Sequence, residues 1–243
     1  MKTYYILDIP FIEGVYKDTI IRLKRGGLMV VPSGPGLSTV GKDSQYTEAV
    51  KKADFAIPDS GFMIFLLRWL KGIKIKKLSG FKFLNKFLKE NFQKNELFLI
   101  DPNSYESKKN NDYLNKIGIP IEQSNHYVAP IYNKNKVEDI ELINILNRLK
   151  NKPKYIMINL GSNIQEPLGY FLKKNLTFKP GIICTGAAIS FFTGTQVKMY
   201  PLIDRLSLGW LRRIMKNPSI FFPRYFRALS LFFLILKSDV EVR

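Results

Sequence analysis

Residues 155–166 read Tyr-Ile-Met-Ile-Asn-Leu-Gly-Ser-Asn-Ile-Gln-Glu, and their pattern indicates the fold class. The run 155–160 is short, apolar and rich in β-forming residues, which predicts a buried strand. Gly161-Ser162-Asn163 then predicts a turn, and helical spacing of apolar residues begins at Gln165. A buried strand that passes through a small polar loop into a helix is the building unit of an α/β domain.

The same pattern recurs along the chain, which predicts a Rossmann-like, mostly parallel sheet with flanking helices. Runs of strand character also occupy residues 28–31, 55–57, 97–100 and 181–184. Between the strands, helical spacing is found over residues 45–52, 62–71, 81–92, 104–117, 137–150 and 165–174. We expect these elements to form one α/β catalytic domain over residues 1–195.

Beyond Gly194 the pattern changes, and we expect a C-terminal helical appendage over residues 196–243. Its second part, residues 219–237, is too apolar for a free solvated helix, so it either packs on the core or lies in a membrane interface. Its most apolar run, residues 228–236, is about half of the roughly 20 residues that a spanning helix needs. The pattern therefore predicts peripheral membrane contact and no transmembrane anchor.

The composition points to an anionic partner. The chain has 243 residues, with 38 Lys and Arg against 20 Asp and Glu, a formal net charge of +18. Nucleic acid, a lipid membrane and a phosphorylated substrate are all compatible with this charge. The single Cys184 excludes an internal disulfide and a cysteine zinc cluster, and the lone His126 excludes a multi-histidine metal site. We interpret Cys184 as a small buried residue and His126 as a loop residue.

Several common signatures are missing from the sequence. The first ten residues lack the apolar core and cleavage site of a signal peptide, so secretion is not expected. No P-loop and no dinucleotide-binding Gly-x-Gly-x-x-Gly after a strand is present. A nucleotide would therefore have to be held by helix N-termini and basic side chains, and no cofactor or metal is predicted.

The loops that follow the predicted strands are the candidate site, because ligands of open α/β sheets bind beyond the carboxyl ends of the strands. These loops are dominated by small residues, which allow close backbone approach to a ligand. They read Pro-Ser-Gly-Pro-Gly at 32–36, Pro-Asp-Ser-Gly at 58–61, Asp-Pro-Asn at 101–103, Gly-Ser-Asn at 161–163 and Thr-Gly-Ala at 185–187. Simple turn formation is an equally good interpretation of any one of them.

Asp59 is the best single candidate for a catalytic group, since a carboxylate in this loop could take a proton from a hydroxyl nucleophile. From position alone, an N-cap of the helix that begins near Phe62 is the stronger interpretation. Gln165 and Glu166 begin a helix whose N-terminus favours a phosphate or sugar hydroxyl. Here too the residues alone favour a capping box, in which Ser162 or Asn163 caps the helix and the Glu166 side chain bonds back to the backbone of the capping residue.

Taken together, these loops resemble the WecG/TagA/CpsF family of bacterial glycosyltransferases, glycosyltransferase family 26. The segment 53–61, Ala-Asp-Phe-Ala-Ile-Pro-Asp-Ser-Gly, is similar to the family's Pro-Asp-Gly loop. Residues 77–80 resemble its Arg-x-x-Gly segment, residues 159–166 its Gly-x-Pro-Lys-Gln-Glu, and residues 186–194 its Gly-x-x-x-Asp-x-x-x-Gly. Positions between Gly194 and Tyr225 follow its C-terminal signature, so the resemblance spans most of the chain.

The resemblance implies an inverting, metal-independent hexosyltransferase of cell-envelope polysaccharide synthesis. Such an enzyme moves a sugar, of the N-acetylmannosamine type or another hexose, from a UDP-sugar to a polyprenyl-diphosphate-linked saccharide. Asp59 then becomes the expected general base, with Lys77 and Arg213 as candidates to meet the charge of the leaving UDP. The expected substrate-binding residues are Ser33, Gly61, Lys77, Ser79, Gly80, Gly161, Gln165, Glu166, Gly186 and Arg213.

This chain departs from the family pattern at several pocket positions. Lys77 stands for the family's Arg, which removes the bidentate fork of a guanidinium. Pro32-Ser33-Gly34 stands for Thr-x-Asn, Asn163-Ile164 for Pro-Lys, and Ser190 for an Asp. The changes predict rearranged phosphate contacts and leave the donor sugar open.

Basic residues concentrate over 68–94 and 198–227, each stretch containing a single acid. The second stretch is interleaved with aromatic residues, a mixture suited to anionic lipid headgroups. We therefore expect a peripheral protein on the cytoplasmic face of the cell membrane, with homo-oligomerisation open and nucleic acid the least favoured partner. The expected membrane contacts are Arg212, Phe221, Phe222, Arg224 and Arg227. A noncatalytic basic protein that binds membrane or nucleic acid is the alternative.

Overall fold

The computed structural model describes residues 2–195, 211, 214–215 and 217–243. In these residues nine strands form one mixed sheet, flanked by helices, which confirms the predicted fold class. The strands, in chain order, are β1 Thr3–Ile6, β2 Ile9–Ile12, β3 Gly27–Val30, β4 Phe55–Ala56, β5 Leu97–Asp101, β6 His126–Val128, β7 Tyr155–Ile158, β8 Gly181–Cys184 and β9 Val240–Val242.

The order across the sheet is β6-β5-β7-β8-β3-β4-β2-β1-β9. The first seven strands in this order, from β6 at the edge to β2, pair in parallel. Strand β1 pairs antiparallel with both β2 and β9. The described helices, in chain order, are α1 Tyr16–Leu23, α2 Gly34–Leu37, α3 Ser44–Lys51, α4 Gly61–Lys71, α5 Gly80–Phe87, α6 Ser104–Lys116, α7 Ile140–Arg148, α8 Gln165–Asn175, α9 Ser190–Thr193, α10 Pro218–Arg227 and α11 Leu231–Lys237.

Both faces of the central strands are buried, which explains why their sequences are continuous apolar runs without alternation. Along β7, Ile156 and Ile158 belong to the apolar core on one side of the sheet, and Tyr155 and Met157 belong to the core on the other. Side chains alternate between faces along a strand, so one apolar strand fills two cores. The sheet is therefore the middle layer of three.

The N-terminal hairpin was not predicted. Strands β1 and β2 are joined by Leu7 and Asp8, whose φ angles are 54° and 62°. A two-residue hairpin turn with both φ angles positive is normally marked by Asn-Gly or Asp-Gly, and this chain uses neither. The turn signal that would reveal the hairpin is therefore missing from the sequence.

His126 and Cys184 both lie in strands of the sheet. The interpretation of His126 as a loop residue is wrong, because it begins β6 and its ring is largely buried against Asp101. The interpretation of Cys184 is confirmed: it is fully buried in β8. Burial raises the pKa of its thiol well above the ordinary value, so it remains protonated.

Residues 231–242 pack back onto the sheet domain. Helix α11 lies against α4, with Leu231 and Ile235 fully buried, and β9 then pairs with β1 at the sheet edge. The final strand was not predicted. The expected domain boundary at 195/196 adjoins residues 196–210, which lie outside the described residues, and it stays a prediction.

One helical stretch in the described part of the chain, Pro218–Lys237, is long and apolar enough by composition to cross a membrane. In this structure the stretch is docked, since its last part packs on the core and the strand that follows is part of the sheet.

Candidate functional site

The loops at the carboxyl ends of four adjacent strands meet at one place. Strands β7, β8, β3 and β4 are neighbours in the sheet. The chain passes from β3 to β4 on one side of β3, whereas β8 and β7 lie on the other side of β3. This divergence makes a topological switch point, where open α/β sheets bind their ligands. The predicted candidate loops are therefore brought together by the sheet order.

Asp59 lies in the loop between β4 and α4 and faces the start of α5. The Gly80 backbone N–H donates a 3.0 Å hydrogen bond to Asp59 Oδ1. In the same loop pair, the Leu78 N–H donates to the Pro58 carbonyl oxygen at 3.1 Å. These bonds hold the 77–80 segment, including the half-buried Lys77, against the Asp59 loop.

The N-cap of α4 is Ser60, so the interpretation of Asp59 as that cap is wrong. Ser60 Oγ accepts a 3.2 Å hydrogen bond from the Met63 N–H. Ser79 caps α5 in the same way, accepting from the Lys82 N–H at 3.1 Å. Asp59 is thereby released from capping and is held by the neighbouring loop instead.

We expect Ser60→Ala to lower the free energy of unfolding by about 1 kcal/mol, the usual cost of losing a side-chain N-cap. Urea denaturation followed by circular dichroism measures the change. The control is Ser104→Ala at an exposed first position of α6, where Asn103 supplies the cap. An unchanged midpoint for Ser60→Ala, with the control also unchanged, would mean that Ser60 does not cap α4.

The loop after β3 approaches the others closely enough to require glycine. A Cβ placed on Gly34 would lie 3.1 Å from Ser60 Oγ, and one on Gly36 would lie 2.7 Å from Tyr46 Oη and 3.0 Å from Ser162 Oγ. Ser33, at the start of this loop, is half-buried and caps the short helix α2. The loops that follow β3, β4 and β7 therefore meet at one place.

Buried polar side chains at the start of α8 connect the β7 and β8 loops. Glu166 Oε2 accepts from the Asn163 N–H at 2.9 Å, and Glu166 Oε1 accepts from Gln165 Nε2 at 3.0 Å. Gln165 Oε1 in turn accepts from the Gly186 N–H at 2.7 Å. Gly161, also predicted to bind substrate, is exposed and its carbonyl accepts from the Gln165 N–H.

The capping interpretation of this segment is half right. Glu166 reaches back to the Asn163 N–H, as in a capping box. The Asn163 side chain does not cap α8, because its amide donates to Thr39 Oγ1 and Asp43 Oδ2. Asn163 also has a φ of 71°, a left-handed conformation that asparagine tolerates better than most residues.

Glu166 carries an unusual protonation equilibrium for a glutamate. Burial raises its pKa from the ordinary 4.5 to about 7, against the lowering effects of its hydrogen bonds from Asn163 and Gln165 and of the Arg224 charge. Near it the Tyr46 hydroxyl is fully buried and has no hydrogen-bond partner among the described residues. Glu166 therefore exchanges its proton near neutral pH, whereas burial raises the pKa of the Tyr46 hydroxyl well above its ordinary value and that group keeps its proton.

We expect the ionisation of Glu166 to make folding less favourable as the pH rises from about 4.5 to 7. In this window the unfolded state has lost the proton and the folded state keeps it, so the folded state binds more protons and stability falls with rising pH. A pKa difference of one corresponds to about 1.4 kcal/mol, so the loss is about 3 kcal/mol.

Urea denaturation of wild type and Glu166→Gln across this pH range measures the effect. The stability advantage of wild type over the variant should shrink by about 3 kcal/mol toward pH 7 and then stay level. Glu141→Gln, an exposed residue in the first turn of α7, is the matched control. Parallel pH profiles for wild type and Glu166→Gln would contradict the expectation.

The C-terminal helices reach this site. Helix α10 packs against α2. The positive charge of Arg224 acts on both Glu166 and Tyr46 and partly offsets the rise that burial causes in their pKa values. Of the expected membrane contacts, Phe222 and Arg227 are exposed, whereas Phe221 and Arg224 are half-buried. Arg212 and Arg213 lie outside the described residues.

Ser190 stands where the pattern in the Gly-rich segment has an aspartate, and a carboxylate lies beside it from another element. Ser190 Oγ donates to Glu106 Oε2 at 3.2 Å, and Ser190 itself is buried. Glu106 lies in the first turn of α6, 84 residues away along the chain. Sequence reasoning had no means to find this residue, because only tertiary packing joins the two.

A buried polar network at the end of β5 was also missed. Asp101 is fully buried, and its Oδ1 accepts from Asn110 Nδ2 and from Asn159 Nδ2, each at 2.7 Å. Its Oδ2 faces His126 Nδ1 at 4.0 Å. The loop 101–103 was singled out for its small residues, but Asp101 supports the sheet end beside the site.

These features define an α/β protein with a candidate polar site at the switch point of a mostly parallel sheet. No curated protein matches the sequence in a search of characterised proteins. The family model of the glycosyl transferase WecG/TagA/CpsF family matches residues 5–241, nearly the whole chain. The chain therefore belongs to this family, and it is a glycosyltransferase of cell-surface polysaccharide synthesis.

Proposed function

We propose that this chain is an inverting, metal-independent hexosyltransferase. It moves a sugar from a UDP-sugar to a polyprenyl-diphosphate-linked saccharide. The observation that carries the proposal is the 3.0 Å bond from the Gly80 N–H to Asp59 Oδ1. This bond holds a half-buried carboxylate at the switch point, beside the Ser33 loop and the start of α5.

Asp59 acts as the general base in this proposal. The acceptor hydroxyl oxygen attacks the anomeric carbon from the face opposite the diphosphate, and its proton passes to the Asp59 carboxylate. The bond between the anomeric carbon and the diphosphate oxygen breaks as the new glycosidic bond forms, and UDP leaves with the electron pair. A single displacement of this kind inverts the anomeric centre.

Basic side chains and backbone N–H groups stabilise the negative charge of the leaving diphosphate in this proposal. Lys77 lies in the segment bonded to the Asp59 loop, and Arg213 belongs to the basic C-terminal stretch. Charges positioned before the reaction stabilise a developing negative charge without reorganisation during the step. In this proposal Gln165 and Glu166, at the start of α8, line the donor pocket. The remaining proposed pocket residues, which contribute mainly main-chain atoms, are Gly61, Ser79, Gly80, Gly161 and Gly186.

The acceptor carries a polyprenyl chain, so the enzyme works at the cytoplasmic face of the membrane. Arg212, Phe221, Phe222, Arg224 and Arg227 are the proposed contacts with anionic lipid. Each basic residue near an anionic surface contributes about 1 kcal/mol to attachment. Exposed Phe222 and Arg227 support this proposal.

Release of UDP from a panel of UDP-sugars, with a synthetic lipid-diphosphate saccharide as acceptor, tests the reaction. One sugar should give acceptor-dependent UDP release that survives addition of EDTA, and NMR of the product should reveal inverted anomeric configuration. Retained configuration or loss of turnover in EDTA would overturn the inverting or metal-independent mechanism. No release from any UDP-sugar would favour the noncatalytic alternative.

A further inference from the structure

Helix α4 exposes aromatic side chains that the proposed membrane contacts do not include. The helix buries Met63, Leu66 and Leu67 toward the core. On the opposite face, Phe65 is 58% exposed and Trp69 is 65% exposed. Large apolar side chains in this position have no role in the core of the described structure.

The aromatic rings of α4 and α11 contact one another, and the half-buried Phe232 joins the exposed rings of the two helices. Phe65 and Trp69, four residues apart, stack with ring centroids 6.0 Å apart. Trp69 contacts Phe232 at 6.1 Å, and Phe232 contacts Phe233 at 5.2 Å. We call these four residues, Phe65, Trp69, Phe232 and Phe233, the aromatic ridge.

The position of the aromatic ridge is held by the core below it. Leu231 and Ile235 of α11 are fully buried, and Lys71 Nζ donates to the Leu236 carbonyl oxygen at 3.0 Å. Phe233 is nevertheless 61% exposed. The ridge is therefore presented outward by two helices that are anchored to the sheet domain.

Basic residues flank the aromatic ridge without any acid in the same segments. Residues 61–77 and 217–237 contain no Asp or Glu. Arg68 and Lys74 are exposed on the α4 side, and Lys237 on the α11 side. Apolar rings bordered by positive charge are complementary to the headgroup region of an anionic leaflet, where Trp is also enriched.

We propose that the aromatic ridge is a lipid-contacting face, in which Phe65 and Trp69 enter the interfacial region of an anionic leaflet. The inference rests on the proposed function, because that function requires an acceptor in the membrane. Helix α4 begins two residues after Asp59, and a helix rises 1.5 Å per residue, so Trp69 lies about 12 Å along the axis from the start of α4. Asp59 and Trp69 therefore lie toward opposite ends of the same helix, which links the aromatic ridge to the site.

Fluorescence of Trp69 tests this directly. The chain has two tryptophans, so Trp210→Phe leaves Trp69 as the single reporter. Vesicles of phosphatidylcholine and phosphatidylglycerol with brominated acyl chains should quench Trp69 and shift its emission to shorter wavelength. Unquenched emission on vesicles that bind the protein would overturn the proposal.

Co-sedimentation of the full chain with unlabelled vesicles provides the second measurement. Phe65→Asp/Trp69→Asp should lower the affinity for anionic vesicles at least about tenfold, which is about 1.4 kcal/mol. The matched control is Tyr105→Asp, an exposed aromatic residue on α6, which should bind as wild type. Circular dichroism verifies that each variant folds.

Two further results separate this inference from its alternatives. If the double variant changes the sedimentation mass of the protein while its vesicle affinity is unchanged, the ridge joins copies of the chain, and the proposal is wrong. Asp59→Asn should bind vesicles as wild type, because binding does not require turnover. Vesicle binding through the ridge without UDP release from any donor would overturn the proposed function alone.

Discussion

Asp59→Asn should lower transfer to the lipid-linked acceptor by about a thousandfold, within the range that a positioned general base contributes. The substitution keeps the shape of the side chain. An asparagine Oδ1 can still accept the 3.0 Å hydrogen bond from the Gly80 N–H, so the two loops should remain joined. An amide cannot take the proton of the acceptor hydroxyl, and the loss should therefore appear in turnover.

The measurement is acceptor-dependent UDP release with the donor identified from the panel. Asp112→Asn, on the exposed face of α6, is the control and should retain full activity. Thermal unfolding should give similar midpoints for wild type and both variants. Activity of Asp59→Asn within a few fold of wild type would remove Asp59 from the role of base.

Asp101→Ala should lower the free energy of unfolding by about 4 kcal/mol. The buried Asp101 carboxylate accepts from the side-chain amides of Asn110 and Asn159, and its removal leaves two buried donors unpaired. Each unpaired buried donor costs roughly 1–3 kcal/mol. The carboxylate itself is small and polar, so little apolar burial is lost.

Urea denaturation measures this loss, and two variants identify its cause. Asp101→Asn keeps an oxygen acceptor for the amides and should lose about half as much free energy. In the Asp101→Ala background, Asn159→Ala should cost little more, because its partner has already gone. Additive losses for Asp101→Ala and Asn159→Ala would mean that the two side chains are not coupled.

The candidate site was partly predictable from the order of the elements. Five loops were chosen because they follow strands, and the structure joins loops from β3, β4, β7 and β8 at the switch point. That prediction needed only the rule that parallel strands end at a common edge. The interpretation of Asp59 was less accessible, since its loop position favours a helix cap and only the hydrogen bond from the Met63 N–H to Ser60 Oγ excludes that cap.

The sequence was sufficient to predict the α/β class, because strands buried on both faces are continuous apolar runs and the helices between them keep their own spacing. It also determined the family, through motifs in order from the Asp59 loop to the C-terminal stretch.

The contacts of the site residues, by contrast, follow only from tertiary packing. The carboxylate of Glu106 beside Ser190, the amides around Asp101 and the ring of Phe232 against Trp69 all come from distant parts of the chain. Local propensity and periodicity contain no information about such pairs, since each depends on the order of strands and on which helix faces meet. The net charge of +18 follows from the composition. The positions of the basic residues around the site and the aromatic ridge, however, are set by the fold.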